Sequence, residues 1–459
     1  MMETRTTGSS LAIARTACFF LIAIQSVIHT PVASGQALTE ERMHALVELI
    51  QETAKPISDG TSPDELIEKA AEHPYVLLGE ASHGTSEYYT YRTDISMRLI
   101  QEHGFSFIAV EGDWDACWEV NAYVKDLPGA AQTAEAALTH FNRWPPWMWN
   151  NREVLELVQQ LRSFNDSRPR ADRVGFYGID VYGLEGSLKA VLDYVAEVDP
   201  EKASEILAAY DCLMPFREDG AGYARRLALG GTSCEDAVRW VLEHLREEAE
   251  NYREQDAKAY FAAKQHAWVV KNAEHHYRAA AQGGADSWNS RAEHFAQTVN
   301  RLMDYHGDNA KGIVWAHNTH IGDARATAMG QTGRLNIGQI LREQHGRDNV
   351  FAVGFGTHRG TVLAGRAWGQ AMETMQVPES VPGSWENLLY QAGISNAVLF
   401  LEPKHREGPL DAFIGHRAIG VIYQPERENP GNYVPTRIAE RYDAFIFIEE
   451  TRALDNLAP

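Results

Sequence analysis

Cysteine is scarce, four residues in 459, which is too few for a disulfide scaffold. Basic residues are in deficit: 42 Lys and Arg stand against 63 Asp and Glu, a net charge of −21. No basic stripe is therefore on hand for a phosphate backbone, and no nucleic-acid partner is expected. The apolar run Ala17–Ile28, broken by Gln25 and Ser26, is shorter than the roughly 20 residues a membrane span requires, and no other stretch comes closer. Several motifs are missing as well. Without G-x-S-x-G an ordinary serine hydrolase is disfavoured. Without H-E-x-x-H, a P-loop or G-x-G-x-x-G, neither a helix-borne zinc site nor a nucleotide fold is indicated. Internal repeats and low-complexity segments are absent.

What is present has globular composition, 44% hydrophobic and 23% charged, and excludes a disordered or collagen-like chain. The length admits two or three domains, or one large α/β domain carrying an insertion. Arg5 and Arg15 precede the apolar run, and Ala33-Ser34-Gly35 follow it. A basic start, a short apolar middle and small residues at the end describe a secretory signal peptide. The expected division is a cleaved leader at residues 1–35 and a mature chain, 36–459, exported to the periplasm or secreted. Cleavage removes Cys18 and leaves Cys117, Cys212 and Cys234. Cys212 and Cys234 can pair in an oxidising compartment, or all three stay as buried thiols.

The mature chain opens with helical periodicity from Leu38 to about Ile57, and a second helix follows Ser62-Pro63. Short apolar runs then alternate with helical patterns: Tyr75–Gly79, Phe105–Val110, Val174–Ile179, Gly312–Ala316, Val350–Phe355, Ala397–Leu401, Ile419–Tyr423 and Ala444–Ile448. Runs of this length without polar alternation suit strands buried on both faces. The expected fold is a three-layer α/β/α architecture with a mostly parallel central sheet. From about 199 to 306 there is no strand candidate. Ser233 with Asp236 reads as a capping box, and Val238, Val241, Leu242, Leu245 and Tyr252 keep one apolar face. This stretch is expected to be a helical insertion or lid.

Reactive side chains recur just after the apolar runs. Glu80 and His83 follow the first, Glu111 and Asp113 the second, Asp180 the third, His317 and His320 the fourth, and His358 the fifth. In open α/β sheets sites form beyond the carboxyl ends of the strands, so these groups are expected on one rim. In GEASHGTSE, Gly79–Glu87, two glycines allow a tight turn, and His83 precedes a helix beginning near Ser86. A histidine whose tautomer is set by a carboxylate is a general base at neutral pH. In AHNTHI, Ala316–Ile321, the histidine pair suits either a metal or a developing oxyanion. Asp113, Asp180, His358 and Trp147, the last within an aromatic run at residues 144–149, are candidates for lining a substrate cleft. Ser82 is a poor nucleophile candidate because adjacent side chains in a tight loop point apart.

Together GEASHGTSE, FIAVEGD, FYGIDVYGL, AHNTHIGD, VGFGTHRGTV, HRAIGVIYQPERE and YDAFIFIEET resemble the erythromycin esterase family, in order and over nearly the whole mature chain. The resemblance implies a three-layer α/β fold with helices over the cleft. It also implies hydrolysis of a lactone ester, such as that of macrolide antibiotics, by histidine-activated water, without a covalent intermediate or a required metal. Carried over residue by residue, it makes His83 the base, Glu80 its carboxylate and Arg92 the active-site arginine. Glu111 is then the second glutamate, and His317 and His320 the histidine pair.

The expectation is an exported hydrolase acting on a small-molecule ester or lactone, with no cofactor. Two other readings stand beside it. A divalent metal held by His83, Glu111, His317 and His320 would serve the same chemistry, and a metal-free sample with full activity rejects it. A non-catalytic secreted binding or accessory protein would bind a ligand yet show no turnover. Composition and motifs do not address the oligomeric state.

Overall fold

In the computed structural model, residues 39–57 and 60–457 are described; the leader read at residues 1–35 lies outside them. The strands, in chain order, are β1 (Ala54–Pro56), β2 (Tyr75–Leu78), β3 (Phe107–Asp113), β4 (Gly175–Asp180), β5 (Gly312–Trp315), β6 (Val350–Gly365), β7 (Met372–Val377), β8 (Asn396–Phe400), β9 (Phe413–Arg417), β10 (Tyr433–Arg437) and β11 (Ala444–Thr451). The main sheet runs β1-β8-β11-β6-β2-β5-β3-β4, with β7 pairing the far half of β6, while β9 and β10 form a separate ribbon. From β11 to β4 every pairing is parallel, and β8, β1 and β7 join antiparallel.

The unalternating apolar runs have a direct cause, since both faces of the sheet are covered. Val76, Leu78, Ile108, Val110, Ile313 and Trp315 face one core with the helices Ser86–His103 and Arg152–Asp166. Leu77, Phe107, Ala109 and Val314 face another, formed with the helices Glu40–Thr53, Asp286–His306 and Ile337–His345. The architecture is a three-layer α/β fold. Between β4 and β5 the chain is helical, from Leu184–Val198 to the long Ala249–Gln282 and Asp286–His306. Much of this stretch packs around its own core of Leu188, Tyr210, Tyr223, Val241 and Tyr252. Cys212 and Cys234 are bonded, their Cα atoms 6.0 Å apart, while Cys117 is a buried free thiol.

Four local expectations are corrected. Ile419–Tyr423 is not a strand. It makes single bridges, Ile419 to Ser82 and Ile422 to Gly365, because it crosses from the His83 loop to the end of β6. The first helix stops at Thr53, and Ala54–Pro56 pairs with β8 at the sheet edge, where a proline is tolerated. The capping box at Ser233 does not form: the helix starts at Glu235, and its cap residue, the bonded Cys234, makes no side-chain cap. Strand β6 does not end at Phe355 but continues to Gly365, its polar Thr357 and His358 buried.

Candidate active site

β2, β5, β3 and β4 are parallel neighbours, so the residues following them meet at one end of the sheet. Two glycines show how tightly the first loop is seated. A Cβ on Gly79 would lie 2.1 Å from Asn318 Oδ1, and one on Gly84 would lie 1.9 Å from the Leu363 carbonyl oxygen. Close approach, more than turning, requires glycine at both positions.

The His83 Nδ1 is 2.7 Å from Glu80 Oε1, and the other Glu80 oxygen accepts from Arg92 Nη2, also at 2.7 Å. With Nδ1–H donated to the carboxylate, Nε2 is the lone-pair nitrogen, and His83 lines the cleft described below. Burial would lower the His83 pKa, but the hydrogen bond and charge of Glu80, with the charge of Glu111, outweigh it and hold it above the usual value. Arg92 is fully buried under Tyr89 and Trp315, its guanidinium carbon 4.3 and 4.5 Å from their ring centres. It stands behind Glu80, away from the cleft.

The second carboxylate is the hub of the other half. Glu111 Oε2 accepts from the His317 backbone N–H at 2.9 Å, and Oε1 accepts from Arg291 Nη2 at 2.8 Å with His320 Nε2 at 3.4 Å. Burial alone would raise this carboxyl; the charges of His320, Arg291 and His83 prevail and hold it well below the usual range. His317 Nδ1 lies 2.7 Å from Thr319 Oγ1 and accepts from the Thr319 N–H at 3.2 Å, so its proton is assigned to Nε2; the Ala81 carbonyl also bonds the ring. Its ring centre lies 5.0 Å from that of His83. His320 Nε2 is 3.1 Å from Arg291 Nη1, and its ring is stacked on Trp288. Burial pushes His317 well below its ordinary value and His320 down to about 4, so both are neutral at neutral pH.

Arg291 was not singled out from the sequence. It reaches in from the helix Asp286–His306 and forks onto Asp180, Nε to Oδ1 at 2.9 Å and Nη2 to Oδ2 at 2.6 Å. One signal pointed to it. Arg291 shares a helical face with Phe295, Thr298 and Leu302, all buried, where an unpaired charge would be costly.

His83, Glu111, Asp113, Asp180, Arg291, His317 and His320 all line one cleft of about 2170 Å³ between the sheet end and the helical segment. Its walls include Trp118, Trp144, Trp149, Tyr182 and Trp368. Asp113 is held there by Arg143, at 2.5 and 2.7 Å. Asp115 also lines the cleft, its carboxyl pushed up to about 7 by burial and by the charge of Asp113. Of the other expected residues, Glu80 and Arg92 stand behind His83, and two do not join the group at all. His358 lies mid-strand because β6 runs on; it bonds Ser380 Oγ at 2.7 Å and stacks on Tyr390. Trp147 is packed in the core, while its neighbours Trp144, Met148 and Trp149 reach the cleft. Ser82 hydrogen-bonds Thr85. Among the described residues no three His, Cys, Asp or Glu side chains converge as a metal-ligand set, and no helix is long and apolar enough to cross a membrane.

A family model described as erythromycin esterase matches residues 100–451. Three solved structures share the fold. One is a succinoglycan biosynthesis protein, with TM-score 0.74 and 20% identity, covering 91% of this chain and 100% of that one. A second is a Bacillus cereus protein, with TM-score 0.73 and 18% identity over 91% of this chain and 99% of the other. The third is an erythromycin esterase, EreC, carrying a histidine-to-asparagine change, in its open conformation. Its TM-score is 0.61 and its identity 14%, over 84% of this chain and 93% of that one.

Proposed function

The chain belongs to the erythromycin esterase family, and from that membership and the site geometry we propose that it hydrolyses a carboxylic ester or lactone, macrolide-type lactones included, with His83 as general base. The observation that carries this is His83 itself. Its Nδ1 is locked on a fully buried carboxylate, and its Nε2 is left as a lone pair at the cleft.

His83 Nε2 takes a proton from water as the oxygen attacks the acyl carbon, and Glu80 and Glu111 stabilise the imidazolium that forms. Negative charge develops on the carbonyl oxygen. His317, neutral and lining the cleft beside His83, is the donor assigned to it. Collapse of the tetrahedral intermediate breaks the bond to the alkoxide, which takes the proton back from His83. The products are an alcohol and a carboxylic acid, which gives its proton to solvent and leaves as the carboxylate, and no acyl group passes to the protein. Arg92 and Arg291 act at one remove, orienting Glu80 and Glu111. Export follows from the leader pattern, and the Cys212–Cys234 bond fits an oxidising compartment.

The test is a panel of macrolides, simpler lactones and linear esters incubated with the chelated protein and followed by mass spectrometry. Gain of one water by a lactone, with no mass added to the quenched protein, is expected. A protein that binds members of the panel and turns over none overturns the reading.

The titration of His83 sets the pH dependence. The base must be neutral, and Glu80 holds its pKa above the ordinary value of about 6.5. Log kcat/KM is therefore expected to climb with pH through a point above 6.5 and then level off. Glu80→Gln removes the charge responsible, so the acidic limb moves to lower pH while the plateau falls. A limb that stays in place shows that His83 is not the titrating group.

A further inference from the structure

One quoted motif has no part in the mechanism above. HRAIGVIYQPERE begins with His416 and Arg417 at the end of β9, and neither lines the cleft. His416 is nonetheless fully buried, its Nδ1 2.5 Å from Oε1 of Glu386, itself fully buried on the helix Trp385–Gln391. The Arg417 backbone N–H donates to the same oxygen at 2.9 Å. Paired in this way, His416 carries its proton on Nδ1 and leaves Nε2 as an acceptor. Two side chains face that nitrogen: Asn318, whose Nδ2 lies 3.2 Å away, and Tyr442, whose hydroxyl lies at the same distance.

Asn318 stands between His317 and His320 and is fully buried. Its side chain docks on β6 as a peptide would, Nδ2 donating to the Phe355 carbonyl at 2.7 Å and Oδ1 accepting from the Phe355 N–H at 3.2 Å. Its backbone N–H donates to the Glu80 carbonyl at 2.8 Å, and its carbonyl accepts from Arg441 Nη2 at 2.7 Å. Ile419, three residues past His416, donates its N–H to the Ala81 carbonyl at 2.7 Å. The segment opening at His416 thus touches both loops that carry the site. Phe355 sets which end of the amide meets which backbone group, and the acceptor nitrogen behind it takes the second Nδ2 proton, so the amide is held from both sides.

We propose that Glu386 and His416 are positioning residues: the carboxylate fixes the imidazole tautomer, the imidazole fixes the Asn318 amide, and Asn318 sets His317 and His320 against His83. The proposal rests on the hydrolytic reading for its kinetic consequence, though not for its geometry. A misplacement near 1 Å at a reacting centre costs about 10²-fold. His416→Phe, which fills the space and offers no acceptor, is therefore expected to lower kcat by about 100-fold with KM little changed. His416→Gln, whose amide oxygen accepts from Asn318, is expected to recover most of that loss. Parent-level kcat in His416→Phe, or a glutamine variant as impaired as the phenylalanine one, overturns the proposal. His83→Ala in the same assay keeps the two ideas separate, since an active His83→Ala removes His83 as the base and says nothing of His416. Nitrogen-15 NMR of histidine-labelled parent protein decides the geometry without turnover or variant. At about pH 7 His416 is expected as the Nδ1–H tautomer with an unprotonated Nε2. A protonated Nε2 there could not accept from Asn318, and the proposal falls.

Discussion

Alanine at position 83 is expected to lower kcat/KM by about 10²–10⁴-fold, the range for loss of a general base. The fold should survive. His83 sits on a loop at the cleft, and Glu80 keeps its bond to Arg92 when the imidazole is gone. Water can enter the vacated space and satisfy the freed Glu80 oxygen, so the melting temperature should stay near the parent's. The deficit belongs in kcat, because the base acts on the attacking water rather than on the bound ester. Glu80→Gln should be the milder lesion. It removes the charge opposite the imidazolium but leaves an amide able to hold the ring in place. A His83→Ala enzyme that cleaves its best ester at the parent's rate would assign the chemistry to another group, and Asp115, with its raised carboxyl pKa, would be the first to examine.

The legible part of this site was the part controlled by strand ends. A strand buried on both faces keeps polar side chains to its ends, so the first polar residues after each apolar run mark the rim of the sheet, with Glu111 and Asp180 among the last residues of β3 and β4 and the others just beyond their strands. That logic located His83, Glu111, Asp180, His317 and His320, which converge on the cleft, and Glu80, which stands behind His83. It failed at His358 for a physical reason. β6 continues past the apolar run because β7 and β11 cover its polar half, and the residue read as a strand end is mid-strand. Ile419–Tyr423 failed for the converse reason, being an apolar segment that crosses the ends of the sheet instead of joining it. Trp147 shows the limit of reading an aromatic run, since the direction of each ring depends on the turn at residues 144–149. Arg291 was hidden by distance in the chain. It belongs to a helix whose partners, Glu111 and Asp180, lie more than a hundred residues earlier. Asn318 and His416 were in plain view inside quoted motifs, but a link between two motifs is a property of the fold.

Arg291 carries the second large prediction, on stability. Its guanidinium is the cation nearest to two buried carboxylates, bonding Glu111 and Asp180 and touching His320. Arg291→Met keeps the stem and removes the charge, leaving both carboxylates buried without it. Breaking a buried pair in this way costs about 3–5 kcal/mol. The pH dependence gives the sign. In the parent both carboxyls are held low despite burial, so their contribution is present above the unfolded values of about 4 and is lost only as pH falls through the depressed folded values. In the variant burial is less opposed and both folded pKa values rise. A raised carboxyl loses stability as pH climbs from about 4. The gap in melting temperature between parent and Arg291→Met should accordingly be widest near pH 7 and narrow toward about pH 4.5, where protonation relieves the variant. Calorimetry at the two pH values checks this. An equal deficit at both would mean that the arginine contributes packing rather than charge, and no deficit would mean that the cluster does not depend on it. Activity should fall with stability but for a separate reason, since His320 loses its donor and Glu111 one of the groups that orient it toward the His317 backbone.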